Sequence, residues 1–156
     1  MINLKKMKRA VRVFCCMLCI AIACSITAYA EYGPSNRAYA PLERMYSSEV
    51  TLEVPGLNGT VSTRSINESV FKASQDTKCT FYTVNNKTAA GADARLINSL
   101  NESRSAWARD LLTGTTRKAN TNGATKGYLY YAQISSDLVE IYSFDLTFKF
   151  SPDEMS

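Results

Sequence analysis

The side chains that could do chemistry in this chain are carboxylates, tyrosines and one cysteine, because its 156 residues include no histidine. Without imidazole there is no Ser-His-Asp or Cys-His nucleophile, no histidine acid or base near neutral pH, and no histidine metal ligand. Four of the five cysteines lie within residues 15–24, which leaves only Cys79 in the rest of the chain. One thiol cannot form a zinc site by itself. We therefore predict neither a metal nor another cofactor.

A pair of carboxylates can hydrolyse a glycosidic bond, and that reaction needs no histidine. No pair among the 14 acidic residues stands out by its spacing. Glu140 is the one candidate, because the alternation of residues 138–150 places it on the apolar face of a predicted strand, where desolvation raises a carboxyl pKa. A small carboxylate-dependent hydrolase is thus the second alternative function. The main expectation is that the chain is not an enzyme and has no catalytic residue.

Tyrosines are the second group of candidates. Tyr128, Tyr130, Tyr131 and Tyr142 lie close together in the sequence, and exposed tyrosines stack on sugar rings or anchor protein partners. Core packing accounts for most of them. Tyr131 is the predicted outward member, because it is opposite in phase to Tyr128 and Tyr130. Trp107, the only tryptophan, is predicted to be a core residue.

The longest polar segment, residues 113–126, contains three basic residues, Arg117, Lys118 and Lys126. Loops of this length are uncommon unless they are mobile or bind a ligand, although a solvated connector is the simpler interpretation. Together with Tyr131, these basic residues form the predicted binding surface. The predicted partner is a surface glycan or a protein.

The elements that must position these residues are strands. From residue 138 to 150 alternate positions are largely apolar, and aromatic and β-branched residues dominate, which is typical of a half-buried strand. Residues 128–134 alternate in the same way and are followed by Ser135-Ser136-Asp137, a polar turn. We therefore predict an antiparallel hairpin over residues 127–150.

Further strands are predicted towards the N-terminus. Residues 50–54 alternate, turn at Pro55-Gly56 and Asn58-Gly59, and run back through 60–64, and residues 78–84 have strand composition. Residues 89–112 fit either a helix or a hairpin of 92–100 and 105–112. We predict the hairpin, because turn signals recur along the chain at the spacing of a β-sandwich.

The first thirty residues indicate export. A cationic start is followed by the apolar residues 13–27 and by Ala28-Tyr29-Ala30, so we predict cleavage between Ala30 and Glu31. The alternatives are a lipid anchor at Cys24 and an uncleaved membrane anchor. Cleavage would remove five of the 18 Lys and Arg and none of the 14 Asp and Glu, which leaves a net charge of about −1. The basic charge of the full chain thus comes from the predicted signal peptide, and it does not indicate a nucleic-acid partner for the mature protein.

The predicted organisation is a signal peptide (1–30), an extended leader (31–45), one domain (46–151) and a tail (152–156). The predicted fold class is all-β, an antiparallel β-sandwich of about 6–8 strands, with no membrane span in the mature form. The 126 residues after residue 30 are enough for one core without a disulfide. Whether Cys79 stays free or bridges two chains is open.

Several short motifs together resemble one class of known proteins. They are an Ala-Arg-Leu strand at residues 94–96, Lys126-Gly127 before a tyrosine-rich strand, and Ser151-Pro152-Asp153 after the last strand. With the leader and the Asn-Gly turns, this order resembles the small exported β-sandwich proteins of Gram-positive bacteria that end in a Ser-Pro-Asp-type tail. The resemblance implies an exported β-sandwich and supplies no active site.

The predicted function is that of a secreted or cell-wall-associated bacterial protein that binds a partner without catalysis. Some similar exported chains resemble bacteriocins of the lactococcin type. A bacteriocin-like protein acting on neighbouring cells is therefore the first alternative.

Overall fold

The structure is a computed structural model that describes residues 45–156. The predicted cleavage site at Ala28, Ala30 and Glu31 and the alternative lipid attachment at Cys24 lie outside the described residues. Within residues 45–156, no helix has both the length and the apolar character needed to cross a membrane.

The described chain is all-β, and every strand pairing in it is antiparallel. One short 3₁₀ helix, Thr63–Ile66, interrupts the strands, and residues 45–156 contain no α-helix. The strands are β1 (Val50–Val54), β2 (Thr60–Ser62), β3 (Val70–Phe71), β4 (Lys78–Asn86), β5 (Ala92–Ile97), β6 (Thr116–Asn120), β7 (Leu129–Ser136) and β8 (Phe144–Ser151).

The strands form two sheets. The first has the order β1-β8-β4-β6, so that β8 and β4 are central. In the second, β7 is central and pairs with β2, β3 and β5. Consecutive strands therefore often belong to different sheets.

Period-two alternation explains which side chains are buried in β1 and β8. In β8 the apolar members of Phe144–Ser151 are buried and the residues between them are partly exposed, and β1 alternates between buried and exposed in the same way. Most buried apolar side chains of both sheets belong to one hydrophobic cluster. Its members include Leu52, Phe81 and Phe148 from the first sheet and Leu96, Ala132 and Ile134 from the second.

The predicted hairpin of residues 127–150 is wrong. β7 ends at Ser136 in the second sheet, and β8 begins at Phe144 in the first, where it pairs with β1 and β4. The intervening residues 137–143 form a connection between the sheets, and their apolar side chains are exposed. β8 has a neighbouring strand on each side, β1 and β4, and is therefore central in its sheet. Likewise β2 pairs with β7 and not with β1.

The predicted strands of residues 89–112 are confirmed for β5, and the helical alternative is wrong. After β5 the chain turns at residues 98–102 and returns beside it, joined by the bridges Ala94–Ala108 and Ile97–Ser103. The predicted loop 113–126 contains an edge strand, β6, which pairs with β4. Only Ala119 of β6 is buried, so the sequence of this strand has almost no alternation.

The C-terminus is held by a buried ion pair. Lys72 Nζ donates a hydrogen bond to the carbonyl oxygen of Pro152 at 2.5 Å and lies 3.5 Å from Asp153 Oδ1, and both charged side chains are fully buried. The Asp153 carboxylate also accepts hydrogen bonds from the backbone N–H groups of Ala73 and Ser74 and from the Ser74 hydroxyl. The segment predicted as a tail, 152–156, thus begins with two buried residues.

Cys79 is a free, fully buried cysteine in β4. Its thiol donates a hydrogen bond to the carbonyl oxygen of Ala119 at 3.4 Å, and burial raises its pKa to about 11. A thiol that is both protonated and inaccessible does not react as a nucleophile.

We therefore expect iodoacetamide at about pH 8 to leave Cys79 unlabelled in the native protein and to label it in guanidinium chloride, where the thiol is exposed and its pKa is ordinary. Peptide mapping by mass spectrometry distinguishes Cys79 from the cysteines of residues 15–24. Rapid labelling in the native state, or a disulfide between two chains through Cys79, would contradict the buried position.

Candidate functional site

The outer face of the second sheet carries a group of large polar and aromatic side chains. Ala94 and Leu96 of β5 point into the core, so Arg95 between them points outwards. Ala132 and Ile134 of β7 are also core residues, which turns Tyr131 and Gln133 to the same outer face. The sheet register places Arg95 directly opposite Gln133.

Trp107 completes one side of this face. The bridge between Ala94 and Ala108 places Trp107 beside Arg95, whose guanidinium carbon lies 4.4 Å from the centroid of the tryptophan ring. On its other side Arg95 Nε donates a hydrogen bond to Gln133 Oε1 at 2.7 Å. The guanidinium group is therefore fixed between an aromatic ring and an amide.

A second cation–π pair lies at the opposite side of the face, where the guanidinium carbon of Arg64 is 6.0 Å from the centroid of the Tyr131 ring. Arg64 belongs to the 3₁₀ helix that follows β2. The adjacent residue Thr63 is fully buried, and its hydroxyl accepts a hydrogen bond from the Ala132 N–H at 3.1 Å, which holds the helix against β7. The sheet thus positions both arginines.

We call this group the aromatic–guanidinium face. Neighbouring strands are about 4.8 Å apart, so it extends roughly 14 Å across four strand positions. All of its members are partly exposed. They are Arg64, Arg95, Trp107, Tyr131 and Gln133.

The face presents hydrogen-bond donors that have no partner among residues 45–156. Within residues 45–156 neither Arg64 nor Arg95 has a carboxylate partner, whereas nearby Arg109 pairs with Asp93. In the same part of the chain, the terminal nitrogens of Arg95 and the indole N–H of Trp107 also lack an acceptor. Within residues 45–156, two guanidinium groups and one indole N–H on this partly exposed face therefore keep donors for a ligand.

The residues predicted as a binding surface lie on different elements. Tyr131 is on β7 and belongs to the aromatic–guanidinium face, as its phase predicted. Arg117 and Lys118 are on β6 of the other sheet, where Arg117 Nε donates to the Asp110 carbonyl oxygen at 3.1 Å and Lys118 Nζ lies 3.2 Å from a carboxylate oxygen of Glu154. Lys126 is exposed in the loop before β7.

Sequence reasoning missed the residues that accompany Tyr131. The prediction of Trp107 as a core residue is wrong, because the ring is partly exposed and lies outside the hydrophobic cluster. An outward arginine at position 95 was detectable from its alternation with Ala94 and Leu96. The proximity of Arg95 to Trp107 and Gln133 could not be detected from the sequence, because it depends on which strands pair.

The predicted position of Glu140 on an apolar strand face is also wrong. Glu140 lies in the loop between β7 and β8, is partly exposed, and accepts a hydrogen bond from the Thr88 hydroxyl. The prediction that most of the four tyrosines are core residues is wrong as well, because only Tyr130 is buried, whereas Tyr128 and Tyr142 are exposed. Among residues 45–156 no group of three Cys, Asp or Glu side chains is arranged to hold a metal ion.

Comparisons with protein-family models and with curated proteins supply no relative from which a function could be transferred. No protein-family model matches this chain, and a search of curated proteins finds no match. The function has to be inferred from the chemistry of the chain itself.

Proposed function

We propose that this chain is a secreted or cell-surface bacterial binding module, without catalytic activity, whose aromatic–guanidinium face binds a surface glycan that carries carboxylate or phosphate groups. The observation that carries the proposal is the presence of two guanidinium groups, each within 6.0 Å of the centroid of an aromatic ring and neither paired with an acid among residues 45–156. The cationic leader and Ala28-Tyr29-Ala30 support export.

The chemistry of the face selects the ligand class. Guanidinium groups bind carboxylates and phosphates through two parallel hydrogen bonds, and such charge-assisted bonds are stronger than neutral ones. Aromatic rings beside them offer apolar area to the faces of sugar rings. A face of this composition favours an anionic glycan over a neutral one.

The scaffold suits binding. We propose that the two sheets pack face to face as a β-sandwich, since their inward side chains belong to one hydrophobic cluster. The face then lies on a central strand and its neighbours, where side-chain positions are set by the sheet and little ordering is needed on binding.

The test uses Trp107, the only tryptophan of the chain, as an intrinsic probe within the proposed site. We expect its fluorescence to change on titration with uronic acid oligosaccharides or glycerol phosphate oligomers, and not with neutral N-acetylglucosamine oligomers. Replacing Arg95 by glutamine should weaken binding about tenfold, equivalent to about 1.4 kcal/mol, because a charge-assisted contact is lost. Binding should also weaken as salt is raised.

Arg117→Gln is the matched control, because it removes the same charge from β6 of the other sheet. We expect this variant to bind like the original chain. If Arg117→Gln and Arg95→Gln reduced the affinity for the glycan equally, the aromatic–guanidinium face would not be the binding site. The absence of a fluorescence response to any anionic glycan would refute the proposal.

A further inference from the structure

Two tight turns lie side by side at one end of the molecule, and both carry apolar residues where turns ordinarily have polar ones. In the first turn Gly59 N–H donates to the Gly56 carbonyl oxygen at 3.1 Å, and the central residues Leu57 and Asn58 have φ of 56° and 60°. Such left-handed turns favour glycine and asparagine, so Leu57 is held in a strained backbone conformation.

The second turn belongs to the connection between β7 and β8. Glu140 N–H donates to the Asp137 carbonyl oxygen at 3.1 Å, which places Leu138 and Val139 at the centre of the turn. Central turn positions are usually occupied by Gly, Pro, Asn, Asp or Ser. Leu138 and Val139 are more than two-thirds exposed and gain nothing from packing in the core.

Backbone contacts join the two turns. Leu57 N–H donates to the Glu140 carbonyl oxygen at 2.5 Å. Only glycine fits at position 56, because a Cβ atom there would lie 2.5 Å from the carbonyl oxygen of Ile141. The two turns therefore form one unit.

We call the apolar side chains of this unit the apolar tip. Each is 61–78 % exposed, so they protrude and do not line a groove. Isolated exposed apolar residues are common, but a contiguous group marks a site of interaction with a protein or a membrane. The members are Leu57, Leu138, Val139, Ile141 and Tyr142.

We propose that the apolar tip inserts into the interfacial region of a lipid bilayer. Five side chains are far fewer than the roughly 20–30 residues that each partner contributes to a stable protein interface, which argues against a second copy of the chain as the occupant. A fluid bilayer accepts protruding side chains without a complementary groove. Tyrosine in particular is enriched at the level of the lipid headgroups.

The charges around the tip indicate which lipids it favours. Asp137 and Glu140 belong to the same turn, and Ser143 donates a hydrogen bond to the carboxylate of Glu53 at 2.7 Å. The pKa of Asp137 is raised, first by burial and then by the nearby charges of Asp93 and Asp110, while Arg109 acts to lower it. Acidic groups near the tip thus outnumber this basic one, and neutral headgroups such as phosphatidylcholine are preferred over anionic ones.

The first experiment places a probe in the tip of the predicted mature chain, residues 31–156, so that the apolar residues 13–27 do not themselves bind the vesicles. In the Tyr142→Trp variant, vesicles of brominated phosphatidylcholine should quench the added tryptophan emission. The emission of Trp107, measured in the unsubstituted chain, should be affected much less, because Trp107 lies on the outer face of the second sheet. On vesicles that also contain phosphatidylglycerol, quenching should be weaker and should increase with salt.

The second experiment separates binding from folding. Asparagine tolerates the left-handed conformation, so Leu57→Asn should leave the denaturation midpoint unchanged or raise it, while affinity for phosphatidylcholine vesicles falls several-fold. Leu100→Asn is the matched control. Leu100 is 74 % exposed and follows the end of β5 at Ile97, whereas the tip lies near the other end, where Ala92 pairs with Ser136.

The proposal is overturned if tryptophan at position 142 is not quenched, or if Leu57→Asn and Leu100→Asn reduce vesicle affinity equally. It is also overturned if the tip residues instead support dimerisation of the chain in sedimentation experiments without lipid. The proposal is independent of glycan binding, because the apolar tip and the aromatic–guanidinium face share no residue.

Discussion

Replacement of Lys72 by methionine is expected to lower the free energy of unfolding by about 3–5 kcal/mol. The substitution leaves the Asp153 carboxylate in a fully buried position without a counter-charge, and it also removes the hydrogen bond to the Pro152 carbonyl oxygen. The hydrogen bonds from Ala73 and Ser74 remain, but they do not neutralise the charge. Removing one member of a buried ion pair is costly for this reason.

The measurement is chemical denaturation followed by circular dichroism. Lys78→Met is the matched control, because Lys78 forms a partly exposed ion pair with Glu154 at 3.7 Å, and exposed pairs contribute about 0–1 kcal/mol. The double variant Lys72→Met with Asp153→Asn should lose less stability than the two single losses added together. A loss below about 1 kcal/mol for Lys72→Met would show that the pair is not buried as described.

The second large effect is expected at the centre of the first sheet. Phe148→Ala should lower the free energy of unfolding by about 3–5 kcal/mol, because removal of the fully buried ring leaves a cavity in the hydrophobic cluster. Phe148 pairs with Val50 of β1 on one side and with Thr83 of β4 on the other, and its ring centroid lies 6.3 Å from that of Phe150. Neighbours on both sides limit how far the cavity can close.

Equilibrium unfolding of Phe148→Ala measures this loss. Lys149→Ala is the control on the same strand: its side chain points to the opposite face and makes an exposed contact with Glu49 at 3.7 Å, so a change within about 0.5 kcal/mol is expected. If Phe148→Ala and Lys149→Ala lowered the free energy of unfolding equally, the assignment of the two faces of β8 would be wrong.

Local alternation predicted much of the fold. The buried residues of β1 and β8 follow from period two, because a strand that has one face in the core must place an apolar side chain at every second position. The outward position of Tyr131 follows from the same rule. The strand at β6 and the exposed connection 137–143 were not predictable in this way, because an edge strand needs few apolar residues and exposed turns ordinarily lack them.

The candidate sites were predicted less completely than the fold. Tyr131 was identified, but Arg64, Arg95, Trp107 and Gln133 were not placed beside it. These residues come from four segments of the chain, and they meet only because β7 pairs with both β2 and β5. Likewise Lys72 and Asp153 lie 81 positions apart in the sequence.

The sequence by itself determined the chemistry that is excluded and the faces of the strands. A chain without histidine has no imidazole catalysis in any fold, and the alternation of β8 is a local property of its own residues. Tertiary structure alone decided which strands are neighbours, that β8 lies between β1 and β4, and that the aromatic–guanidinium face and the apolar tip exist. Backbone hydrogen bonds are the same for every pair of strands, so pairing is chosen by the burial that the whole chain achieves, and that total cannot be obtained from any one segment.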